Sequence, residues 1–124
     1  MSARSDANQV PPPTPRVRLA RLAWETALAT KGIAAGSVGA RSQWATNDRG
    51  ELLPGVLAAA RRDGSYDVEL HLVARWPVPP LHELGERIHD RVVAAAERQG
   101  LGESLGELRI SFGDLLDAGE PVMS

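Results

Sequence analysis

Between Gly64 and Gly100 the chain changes its hydrophobic period once, and that change limits the folds open to it. From Tyr66 to Arg75, Val68, Leu70, Leu72 and Ala74 alternate with Asp67, Glu69, His71 and Arg75. This is the two-residue pattern of a strand with one buried face, and only Val73 departs from it. The next residues, Trp76-Pro77-Val78-Pro79-Pro80, cannot continue a ladder because the prolines lack an amide donor. A proline near the first turn is, however, a permitted entry to a helix. Beyond it Leu81, Leu84, Ile88, Val92, Ala95 and Ala96 hold one apolar stripe, with Glu83, Glu86, Arg87, Asp90, Arg91, Glu97 and Arg98 largely on the other side, until Gly100. A one-faced strand and a one-faced helix hide their apolar sides most simply against each other.

The flanking segments extend that arrangement. Val17, Ala20, Ala23, Trp24, Ala27 and Leu28 recur at helical steps between Arg16 and Lys31, with Gly32 as the expected stop. Ser37 to Ala45 reads as one weak strand, followed by a turn at Thr46-Asn47-Asp48-Arg49-Gly50. Over Leu52 to Arg62 the Ala58-Ala59-Ala60 run favours a helix, whereas Asp63-Gly64 directly before the clear strand favours a hairpin; the hairpin is the reading adopted. Leu108, Ile110 and Phe112 alternate with Arg109 and Ser111 in a last strand, Glu107 to Gly113. The expected fold is α+β: a two-layer sandwich with two amphipathic helices on one face of a small, mainly antiparallel sheet, in the order α-β-β-β-α-β. Residues 1–15 read as a disordered proline-rich tail, 16–114 as one domain and 115–124 as a C-terminal tail. Pro12 and Pro15 match a PxxP spacing, but the reading adopted is a solvated leader and the motif carries no weight.

Composition narrows the function. A chain of 124 residues supports one core. Lys+Arg 14 against Asp+Glu 16 gives a net charge of −2, so no long-range positive field draws in nucleic acid or anionic lipid. The absence of cysteine removes disulfides, thiolate metal sites and a cysteine nucleophile, and suits a reducing compartment. With no spanning segment and no secretory leader, the expected location is cytoplasmic, and any membrane contact runs through a partner.

Few residues invite chemistry. His82, Glu86 and His89 lie on neighbouring turns of the second helix, but the two histidines are about 10 Å apart along its axis at ~1.5 Å per residue, too far to share one ion held at ~2 Å. No metal and no cofactor is therefore expected. His71 shares a strand face with Asp67 and Glu69, yet no nucleophile accompanies them. None of Ser37, Ser42, Ser65, Ser104 and Ser111 sits in a glycine-flanked elbow, so an enzyme is not expected. Gly36-Ser37-Val38-Gly39 spells the GxxG of a KH module, with Arg41 close behind. A KH loop leads into a helix, whereas Ala40 to Ala45 reads as strand, so RNA binding is the alternative rather than the main reading.

The ordered set of Gly55-Val56, Tyr66-Asp67-Val68-Glu69-Leu70-His71-Leu72-Val73, the Trp76-Pro77-Val78-Pro79 link, the Leu84, Ile88, Val92 helix and Leu108-Arg109-Ile110-Ser111-Phe112 resembles the alkaline shock protein 23 family. Upstream, Ala20, Ala23 and Ala27 leading to Gly32-Ile33 fit as well, so the resemblance spans roughly Val17 to Asp114. Leu57-Ala58-Ala59-Ala60 is blander than the branched strand of that family, and Gly85 interrupts the second helix. The resemblance implies a non-enzymatic cytoplasmic envelope-stress or general-stress protein of Gram-positive bacteria. It further implies that the protein self-associates or sits at the membrane through a membrane-anchored partner of the same family.

Contact residues follow from these readings. Glu69, His71, Val73, Arg75, Arg109 and Ser111 share the sheet face turned away from the helices, and Trp44 and Trp76 are candidate aromatic anchors there. Gly85, costing about 1 kcal/mol in a helix interior relative to alanine, is expected where the helix lies close against another backbone, either within the domain or between subunits. The candidate interface is thus Trp44, His71, Val73, Trp76 and Gly85.

Overall fold

In a computed structural model, which describes residues 14–39, 41–75 and 80–116 (for 114–116 the backbone only), the alternating segment forms the longest antiparallel-paired strand and organises the rest. The elements in chain order are α1 (Pro15–Leu28), β1 (Ile33–Gly36), β2 (Ala45–Asp48), β3 (Glu51–Pro54), β4 (Val56–Ala60), β5 (Tyr66–Arg75), α2 (Leu81–Arg98), a short 3-10 turn (Gly102–Ser104) and β6 (Leu105–Leu116). Two helices on a small, mainly antiparallel sheet make the α+β sandwich that the hydrophobic pattern implies.

β5 pairs with three strands. β1 and β4 run antiparallel to it, and β6 runs parallel. His71 donates its N–H to the Gly55 carbonyl at 2.7 Å and accepts from the Ser37 N–H at 2.7 Å. One strand residue turns both backbone groups to the same edge. β4, opposite Tyr66 to Leu70, and β1, opposite Leu72 to Ala74, therefore share that edge end to end, while β6 takes the other. Between β1 and β4 the chain leaves the edge and returns through the separate β2–β3 hairpin.

Val68, Leu70, Leu72 and Ala74 of β5 are fully buried against Leu19, Ala20, Ala23 and Ala27 of α1 and Leu84, Ile88, Val92 and Ala96 of α2, with Leu53 and Val56 at the side. Each large aliphatic side chain buried here contributes roughly 1.5–3 kcal/mol. Trp24 and Leu28, placed on the buried stripe of α1 by their spacing, are only half-buried, and Leu19 takes a core position instead. The helix starts at a Thr14 cap, whose hydroxyl accepts from the Val17 N–H at 3.3 Å, and ends at Leu28, three residues before the expected Lys31.

Several boundaries differ from the pattern-based reading. The single weak strand over Ser37 to Ala45 is replaced by two, β1 ending just before it and β2 beginning at its last residue. Thr46, Asn47 and Asp48, expected in a turn, are strand residues, because Asp48 and Thr46 are pinned by partners far along the chain. The actual turn is Arg49-Gly50, both at positive φ (54° and 94°). Residues 56–60 are strand, as the hairpin reading requires. β6 runs to Leu116, past the expected end at Gly113 and into the segment read as a tail, with its register shifting between Phe112 and Asp114.

Candidate interaction surface

Both helices cover the Val68, Leu70, Leu72 and Ala74 side of the sheet, so the opposite side carries Glu69, His71 and Val73 of β5 and Arg109 and Ser111 of β6. In register, Glu69 stands beside Arg109 and His71 beside Ser111. The segment after β1 brings Trp44 over this face. Its amide donates to the Val38 carbonyl at 2.9 Å, and its carbonyl accepts from the Gly55 N–H at 2.7 Å. So anchored, the indole lies flat on the His71 imidazole, ring centroids 3.9 Å apart and planes 3° apart. His71 Nε2 is 3.0 Å from Glu69 Oε1, which fixes the other edge of the imidazole. Trp44, His71 and Glu69 thus form one half-buried aromatic and charged patch.

Charges at the rim are set by hydrogen bonds. The Glu107 N–H at 2.8 Å, followed by Arg61 Nη1 at 3.0 Å, holds the Asp67 carboxyl below the usual carboxylate range. Glu107 bonds Arg109 in turn and keeps its guanidinium firmly protonated. On the far side of the molecule the buried Asp48 receives Arg21 from α1 and Arg49 at 2.9 Å, and Arg21 also reaches Glu51 and Glu25. Arg21 first, and Arg49 after it, lower the Asp48 pKa against the opposing effect of burial. This cluster clamps the β2–β3 hairpin onto α1.

Of the sequence-derived contact residues, Trp44, His71 and Val73 come together on the open sheet face. Trp76 lies outside the described residues. Gly85 belongs elsewhere: it lines a groove of about 650 Å³ between α2 and β6, beside Leu81, Leu108, Ile110 and Phe112. Within the chain no backbone crowds it there, so packing inside the domain does not account for a glycine at this helix position. A Cβ on Gly85 would meet only the Phe112 ring, at 3.7 Å. The closest backbone approaches to a glycine are at Gly36 and Gly55.

His82, Glu86 and His89 line the same groove, all exposed, and no three metal-ligating side chains gather among the described residues. The GxxG segment closes β1 and leads toward strand β2, where a KH loop would lead into a helix, and its Gly36 is spent on packing against Pro54. Among the described residues no helix is long and apolar enough to cross a membrane. Outside the candidate surface, pattern reading missed the ion cluster at Asp48. Its partners lie 27 residues apart in the chain, and no local spacing marks them. No family model matches the chain, and neither a curated protein nor a solved structure matches it.

Proposed function

We propose that this chain is a non-enzymatic binding or scaffolding protein of the envelope-stress type, cytoplasmic, which self-associates or docks on a membrane-anchored partner. The resemblance to the alkaline shock protein 23 family supplies that class. The observation that carries it is the open sheet face with Trp44 stacked on His71. A rigid aromatic held flat beside charged groups is the composition of a contact surface, since it presents apolar area at little entropic cost with polar groups to set orientation.

Mass measured against concentration by light scattering, on protein freed of nucleic acid, tests this reading. Reversible growth beyond the 13.3 kDa monomer, weakened by Trp44→Ala, is the expected result. A strict monomer that also fails to retain a membrane-anchored partner in a pull-down overturns it. Salt-sensitive retention of nucleic acid in the same fractions would favour RNA binding in its place.

A further inference from the structure

β6 lies at the border of the sheet. It pairs with β5 along one edge, and among the described residues no strand pairs with the other. The strand is 12 residues long and contains neither proline nor lysine, the residues that commonly blunt such edges. The Glu107 N–H points toward β5, where it meets Asp67. Backbone direction alternates along a strand, so Leu108 and Ile110 turn their N–H and C=O groups outward. Their side chains, only half-buried, lie in the groove under α2.

We infer that the free edge of β6 pairs antiparallel with β6 of a second copy, Leu108 on the two-fold axis and Glu107 of each copy facing Arg109 of the other. The inference rests on the self-association reading and adds the β6 edge to the Trp44 face as a second contact between copies. Charge complementarity selects this register. Centring the pair on Leu108 or on Ile110 lets outward backbone groups meet, but only the Leu108 register sets opposite charges against each other. Glu107 and Arg109 are accessible for this, at 49% and 70% side-chain exposure. They then occupy the closely spaced, non-hydrogen-bonded position of an antiparallel pair, where side chains approach best. On the helix side, Leu108 meets its symmetry mate and the two apolar grooves join. Two sheets become one, and the open face that carries Trp44 is presented twice on one assembly.

Charge reversal with rescue tests the register. Dissociation constants are measured by sedimentation for the parent protein, Glu107→Arg, Arg109→Glu and the double exchange. Each single exchange sets like charges opposite each other and is expected to raise the constant roughly tenfold, and the double exchange restores it. Mixing the two single variants recovers assembly as a heterodimer, because every facing pair is then of opposite sign. Arg109→Glu also stands beside Glu69 within its own chain, and the double exchange shares that cost but re-forms the 107–109 ion pair inside one chain; the mixture leaves that pair broken in both chains, so rescue there reports on the contact between copies, and melting curves of dilute samples confirm folding. Assembly indifferent to the single exchanges, or without rescue in the mixture, overturns the β6 pairing and leaves self-association standing. A parent protein that is strictly monomeric overturns both.

Discussion

A Cβ added to Gly55 would stand 2.6 Å from the Cα of Gly36 and 2.5 Å from the His71 carbonyl oxygen, so β1 and β4 can meet on one edge of β5 only because both positions lack a side chain. Gly55 is also at φ +88°, a conformation that costs other residues roughly 1–2 kcal/mol. Gly36→Ala places its Cβ 1.9 Å from the Pro54 carbonyl oxygen. Urea denaturation should show Gly55→Ala and Gly36→Ala each losing about 3 kcal/mol or more, since the atoms in the way are backbone. Gly50→Ala is the control. It has a similar φ of +94° and nothing within 4 Å, so it should lose only the conformational cost, about 1 kcal/mol.

The Trp44–His71 stack contributes coupling energy that area alone does not. Stacked aromatic pairs are worth about 0.5–1.5 kcal/mol beyond burial. A double-mutant cycle of Trp44→Ala and His71→Ala should return a coupling in that range. A coupling near zero would mean that Trp44 is held by its backbone bonds to Val38 and Gly55 and not by the ring contact.

Acid stability should depend on Asp48. Its folded-state pKa lies below the ordinary carboxylate value, chiefly through Arg21. A depressed carboxylate contributes stability that is fully present above its unfolded pKa of about 3.9 and is lost as the pH falls through the lower folded value. Asp67, held down by the Glu107 amide and Arg61, and Asp63, held down by Ser65, act in the same direction. The melting temperature should therefore drop steeply below about pH 4, and Asp48→Asn should flatten that drop while lowering stability at neutral pH. Arg21→Ala should cost several degrees at neutral pH, because it leaves the buried carboxylate with Arg49 alone.

What was legible in the chain was whatever a short window encodes. β5 and α2 announce themselves because one full face of each is buried, and the alternation of Val68 to Ala74 and the stripe from Leu84 to Ala96 have no competing period. β1 and β2 do not. Ile33-Ala34-Ala35-Gly36 is half-buried throughout and so carries no alternation, and Ala45-Thr46-Asn47-Asp48 is made of turn-favouring residues that are strand only because Arg21 holds Asp48 and the Thr46 hydroxyl reaches the Val56 carbonyl at 2.6 Å. The same distinction divides the open sheet face. His71 and Val73 follow from the pleat of β5, whereas the placement of Trp44 on His71 depends on a chain crossing that no pattern reports.

Gly85 offers the sharpest separation of helix propensity from contact. Its helix position suggested a backbone lying close against it; within the chain a methyl group there would make ordinary contact with the Phe112 ring at 3.7 Å and meet no other atom outside its own helix within 4 Å. Gly85→Ala removes the conformational freedom of glycine in the unfolded chain and adds a little apolar contact, so it should stabilise the protein by up to about 1 kcal/mol. Because a methyl group takes only a small part of a groove of about 650 Å³, assembly through β6 should persist in this variant. A larger side chain tests the groove itself: Gly85→Leu should keep the fold, the helix face there being half-exposed, and should crowd the space over Leu108 and Ile110 that a second β6 would share. Denaturation curves of Gly85→Ala shifted to higher urea with unchanged sedimentation, beside weakened association of Gly85→Leu, would place the contribution of this position in the groove and not in helix packing.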